Sequence, residues 1–197
     1  FKAWLRDRFG NPWIVPEGAG DALGTMGCQT LITPQDLQTP WDAVFVSAGT
    51  GATAAGIAIG LRGKSHLFVC SALKGVEMGG VVQQCVENAL VDGQWASEIL
   101  ENVTAWNDAH QGGFGKVNAA VISFMEPFQA ETGIELDSIY TAKSLMKLQS
   151  VLSLPSDQRP LSLRKESRIL FMHTGGIQGN RFRQFSKDKN ASSSPET

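Results

Sequence analysis

The chain has 197 residues, 42% hydrophobic and 18% charged, with 17 Lys and Arg against 19 Asp and Glu and a formal net charge of −2. That length can bury a sizeable core in one domain or two small ones. The charge balance gives neither the basic field of a nucleic-acid binder nor a polybasic membrane patch, and the apolar runs break well short of a membrane span.

Residues 1–9 read as a helix already under way, with no initiator Met, signal pattern or cap. Residues 1–12 are therefore expected to be the end of a preceding segment. Gly10-Asn11-Pro12 is a turn signal, and Trp13-Ile14-Val15 reads as a short buried strand stopped by Pro16. A Gly-rich connection leads to a helix over about 22–32. Thr33-Pro34 and Thr39-Pro40 bracket a surface excursion.

The stretch from 43 to 61 is the most informative. An apolar, β-branched strand over 43–46 enters the turn Ser47-Ala48-Gly49-Thr50-Gly51-Ala52-Thr53, and an Ala-rich helix follows. The order strand, small-residue turn, helix offers unpaired amides and the positive end of a helix dipole to an anion, usually a phosphate. The same turn could also serve only to pack a helix against a sheet. Gly49-Thr50-Gly51-Ala52-Thr53-Ala54 fits the G-x-G-x-x-A dinucleotide pattern, but the next strand, 66–70, ends without the acid that would bind a ribose. A nicotinamide dinucleotide is disfavoured on that ground.

A helix is expected over 75–90, an irregular middle over 98–116, and a helix over 117–132 that Pro127 should bend or interrupt. Another helix spans 141–152, followed by a charged loop and a last strand, 168–172, that ends in His173-Thr174-Gly175-Gly176. Strands alternating with helices predict an α/β fold, an open, mostly parallel twisted sheet with helices on both faces. Tyr140, the only tyrosine, stands where a loop becomes a helix, either as a packed amphipathic side chain or as a functional phenol. Lys143 reads as a solvated helix residue, and His173 either as a satisfied polar group or as part of a site. Cys28, Cys70 and Cys85 lack CxxC spacing and read as free thiols of a reducing, cytoplasmic compartment, with no metal site.

In this order the motifs resemble the 1-aminocyclopropane-1-carboxylate deaminase / D-cysteine desulfhydrase family, enzymes of the tryptophan synthase β-like fold that use pyridoxal 5'-phosphate. The resemblance rests on Val15-Pro16-Glu17-Gly18 with Ala22-Leu23-Gly24, the 47–56 turn, Gly113-Phe114-Gly115, the 137–143 segment and the 169–176 terminus. It implies the large-domain portion of PLP fold type II over residues 13–185; the polar, charged, Ser-rich composition of 186–197 reads separately as a disordered tail. Thr50, Gly51, Ala52 and Thr53 would cradle the cofactor phosphate. Thr174 and Gly175 would lie by the pyridine nitrogen, and Tyr140 by the substrate and the reactive face. A hydroxyl at that nitrogen, unlike a carboxylate, does not hold it protonated, which favours β-elimination.

Two positions depart from the family pattern. Thr141 stands where ring-opening deaminases carry a Glu that engages the cofactor ring, so it is expected at the cofactor and points to the desulfhydrase branch. Phe114 occupies a substrate-loop position that usually carries a tyrosine. None of Lys2, Lys64, Lys74, Lys116 or Lys143 stands in the context of the family's Schiff-base lysine. The resemblance therefore implies the C-terminal portion of the enzyme, inactive alone. The intact protein would be a homodimeric lyase or deaminase acting on a small amino acid and releasing a keto acid and ammonia. The alternative is a degenerate, non-catalytic module that binds the cofactor or another phosphate ligand.

Overall fold

The computed structural model describes residues 1–180. The tail read over 186–197, and residues 181–185 of the expected cofactor domain, lie outside the described residues. Helix α1 (Lys2–Phe9) buries none of its residues. Helices α2 (Ala22–Cys28) and α3 (Pro34–Gln38) lead to strand β1 (Ala43–Ala48) and helix α4 (Ala52–Leu61). Strand β2 (His66–Ser71), helices α5 (Met78–Ala89) and α6 (Gly93–Leu100), and strand β3 (Val103–Trp106) follow. Helices α7 (Ala119–Thr132) and α8 (Thr141–Leu152) precede strand β4 (Ile169–Met172).

The four strands pair in parallel in the order β3-β2-β1-β4. β1 is buried along its whole length, as a central parallel strand must be when both faces are covered. Its alternation assigns the faces. Val44, Val46 and Ala48 join Leu67, Val69 and residues of α4, α5 and α6 in one cluster. Ala43 and Phe45 face the other way, with Phe68, Cys70, Leu148 and Val151. There Phe45 stacks on Phe68 with centroids 4.8 Å apart, and Trp106 tilts against both rings. Helix α7 packs outside α8 through Val121, Phe124 and Phe128.

Helix α4 is apolar all round because it lies between β1 and α2. At Gly56 an added Cβ would collide with Cys28 and the Thr25 carbonyl, and at Gly60 it would come within 2.6 Å of the Gln29 carbonyl. The two helical segments therefore meet nearly backbone to backbone. Helix α5 starts at Met78, later than expected, because the Glu77 carboxylate accepts from the Gly79 and Gly80 amides. That capping holds the exposed Glu77 carboxyl below its ordinary value.

Four expectations are corrected. Trp13-Ile14-Val15 forms no strand and is exposed, Trp13 at 76%, because no neighbouring edge pairs with it. The excursion before β1 contains α3, started by a capping box in which the Thr33 hydroxyl and the Asp36 carboxylate bond each other's backbone. The irregular middle holds β3, a half-buried edge strand too short and mixed to show a period. Helix α7 is not interrupted at Pro127, which lies on an exposed face where water can take the carbonyl that the missing N–H leaves free.

Candidate functional site

The order of the sheet reverses at β1, which has β2 on one side and β4 on the other. Open parallel sheets bind ligands in the crevice beyond the carboxyl ends of such strands. A cleft of about 670 Å³ opens there, lined by the turn after β1, the terminus after β4, Tyr140, Phe114 and the Glu17-Gly18 turn.

The turn after β1 leads into α4 through Gly51, which has φ +85°. An L-residue is strained at that angle, and a Cβ there would also stand 2.8 Å from Val81 Cγ1. Thr50, Gly51 and Thr53 line the cleft. Ala52 does not: its side chain is buried, and what it offers is a first-turn amide that by helix geometry lacks an intrahelical acceptor. The Gly18 turn packs directly on the Thr50 side chain. Beneath the turn, the Cys28 thiol lies 3.9 Å from Thr53 Oγ1 and the Cys85 thiol 3.8 Å from the Thr50 carbonyl. Burial raises the Cys85 thiol above its ordinary value.

Tyr140 is held beside this turn by the bonds of its own segment. One Asp137 carboxylate oxygen accepts from the Ile139 and Tyr140 amides at 2.9 and 2.7 Å. The other accepts from the Thr141 amide at 2.8 Å and its hydroxyl at 2.6 Å. The Ser47 and Ser144 hydroxyls meet at 2.7 Å and tie α8 to β1. As a result a Cβ on Gly49 would lie 3.4 Å from the Tyr140 hydroxyl oxygen. Partial burial raises the phenol above its ordinary value, and the Asp137 and Glu17 carboxylates push it the same way. The group is a protonated donor at neutral pH.

The segment after β4 closes the other wall with Thr174, Gly175 and Gly176. Gly176 approaches Asp137 so closely that a Cβ would stand 2.8 Å from its Cγ. His173 Nδ1 accepts from the Gly175 amide at 3.3 Å, so Nε2 carries the proton and donates to the Glu135 carbonyl at 2.9 Å. His173 is thus a structural tie, and it does not line the cleft.

The structure gathers Thr50, Gly51, Thr53, Phe114, Tyr140, Thr174 and Gly175 around one cleft. It does not bring Thr141 there, which corrects the expectation of a cofactor contact at that residue. Thr141 is fully buried and its hydroxyl is committed to Asp137, because in the first turn of α8 it points toward the capping carboxylate. Lys143 is corrected as well. It is 1% exposed, and its ammonium donates to the Gly113 carbonyl at 2.7 Å. Sequence reasoning passed over Asp137 as an organising group, although an Asp shortly before a helix is a start signal. It passed over Leu73 and named Glu17 and Ser47 only as members of motifs, because their place in the wall depends on the folded turn.

No family model matches the chain. It is 29% identical over 176 residues to a D-cysteine desulfhydrase of Serratia proteamaculans, covering 84% of this chain and 50% of that protein. It is 28% identical over 183 residues to a mitochondrial bifunctional D-cysteine desulfhydrase/1-aminocyclopropane-1-carboxylate deaminase of Arabidopsis thaliana, covering 85% and 42% respectively. A crystal structure of an ACC deaminase homologue superposes with a TM-score of 0.67 at 23% identity, over 92% of this chain and 56% of that one, and bears out the fold. The chain spans about half the length of the curated relatives it matches. These relatives are homologues of the chain, and they bear out the resemblance read from its motifs.

Proposed function

We propose, from the chain's kinship with the D-cysteine desulfhydrases, that it supplies the phosphate-holding and ring-holding part of a site for pyridoxal 5'-phosphate. The intact protein would convert D-cysteine or a similar small amino acid and water to a keto acid, ammonia and the eliminated group. One observation carries the reading: the anion cradle, Tyr140 and Thr174 converge on a single crevice where β1 and β4 part.

The residues present fit the phosphate end of that cofactor. The first-turn amides of α4 and the Thr50 and Thr53 hydroxyls would hold the phosphate, in a turn that a Cβ at Gly51 would fill. Thr174 would offer its hydroxyl to the ring nitrogen, a neutral donor that leaves that nitrogen unprotonated. When bound, the cofactor withdraws electrons from an amino acid's α-carbon and so acidifies its hydrogen. Tyr140, held protonated, would donate a proton to the departing sulfur or orient the substrate. Phe114 would exclude water from that side without offering a second phenol.

A second reading is a non-catalytic module that binds the cofactor or another phosphate ligand; among the described residues, none that line the cleft is a lysine. Two measurements separate the readings. On the 197-residue chain, Thr53→Ala should weaken pyridoxal phosphate binding about tenfold, the worth of one hydrogen bond to a charged group, with inorganic phosphate competing. Absence of competition sinks both readings. On the intact gene product, pyruvate release from D-cysteine supports the enzyme, and cofactor binding without release supports the module.

A further inference from the structure

The loop over 110–116 is built largely on left-handed backbone. Gln111, Gly112, Gly113 and Gly115 all have positive φ, at 49°, 99°, 127° and 69°. Only glycine accepts the Gly113 value without strain. Within the loop, the bonds are Gly112 N–H to His110 Nδ1 at 3.0 Å, Gly113 N–H to the His110 carbonyl at 3.1 Å, and Lys116 N–H to the Gly113 carbonyl at 3.3 Å. Gly113 is buried while Gly112, Phe114 and Gly115 are exposed. Its carbonyl is the point where the loop is tied to α8, through the Lys143 ammonium at 2.7 Å.

Burying an ammonium costs several kcal/mol unless strong acceptors surround it, and the positive end of a helix is the least favourable place for a cation. Lys143 sits in the first turn of α8 nonetheless. The buried ammonium gives one of its donors to the Gly113 carbonyl of the loop. Three residues earlier, at the N-cap of the same helix, Tyr140 meets the Phe114 ring edge-on, with centroids 5.8 Å apart. One helical turn thus touches the loop twice, at the Gly113 backbone and at the next side chain.

We propose that Lys143 is a positioning residue that latches the 110–116 loop to α8 and thereby seats Phe114 as a wall of the cleft against Tyr140. The latch acts through the chain's own atoms and does not depend on which ligand the cleft takes. Its consequence is a wall whose position is set by a buried amine rather than by contact with substrate.

The test uses the full 197-residue chain without ligand and reads two signals. Amide exchange over 110–116, followed by mass spectrometry, should quicken about tenfold in Lys143→Met, which keeps the stem and removes a charge-assisted bond. Elsewhere exchange should be unchanged. Tyr140 is the only tyrosine, so its phenol can be titrated by ultraviolet absorbance, with Asp137 and Glu17 the carboxylates that act on it. Phe114→Ala, a change at an exposed residue, should lower the phenol midpoint by uncovering it while leaving loop exchange slow, because the Lys143 bond remains. Unchanged loop exchange in Lys143→Met overturns the proposal. If Lys143→Met does not fold, Phe114→Ala decides alone: loop exchange quickening there assigns the latch to the aromatic contact and overturns the role of Lys143.

Discussion

Both oxygens of Asp137 are taken by the turn that carries Tyr140, so this one carboxylate fixes where the phenol stands. Asp137→Ala leaves three amides of that turn without their acceptor, and the chain should lose about 3 kcal/mol in urea unfolding. The Tyr140 midpoint should fall toward that of a free phenol, because uncovering the ring and removing the carboxylate both lower it. Gly51→Ala tests the cradle. Strain at φ +85° and the contact with Val81 should cost roughly 1–3 kcal/mol, and pyridoxal phosphate affinity should fall by more than that, since the first-turn amides move together. At this scale the sequence told which residues gather but not how. Thr50, Thr53, Tyr140 and Thr174 stand on turns whose chemistry is local and legible. Lys143 and Thr141 lie on the buried side of α8, and a lysine or threonine letter does not say which side of a helix it occupies.

The elements were easiest to read where burial makes the pattern continuous. Strand β1 and helices α4 and α8 begin and end near where apolar runs, small residues and caps place them. Strand β3 and the 13–15 segment went wrong for one reason in opposite directions. A strand needs a partner, and the letters of Trp13-Ile14-Val15 promise one that the described residues do not supply, whereas Val103–Trp106 finds β2 despite its mixed composition. The stack of Phe45 on Phe68 and Trp106 holds the β1 and β2 faces together. Phe45→Ala should therefore cost about 3–5 kcal/mol in urea unfolding. At the start of β2, burial lowers the His66 imidazole below its ordinary value. The folded state thus prefers neutral His66. Its contribution is present in full above about pH 6.5 and is lost as pH falls through the lowered value. Thermal unfolding followed across that range should show a downward slope that His66→Asn flattens.

On the scale of the molecule, the described residues make a sheet with two covered faces and an apolar fringe left open. Phe1, Trp4, Trp13 and Val15 are exposed, Val15 at 64%. No helix among the described residues is long and apolar enough to cross a membrane. Such a fringe drives association in water. Light scattering should show concentration-dependent self-association of the 197-residue chain, reduced in the Trp13→Ser/Val15→Ser double variant at unchanged secondary structure.

The backbone-close seating of α4 on α2 bears on how a phosphate would be bound. With Gly56 and Gly60 pressed against the Thr25–Ile32 backbone, the helix cannot tilt without parting two main chains. The amides at its start are therefore already aimed before any anion arrives. Little conformational entropy remains to be lost at that end, so phosphate affinity should track the number of donors presented. Gly56→Ala would loosen that aim from a full helical turn away, leaving every donor in place and making the anion's arrival the step that orders them.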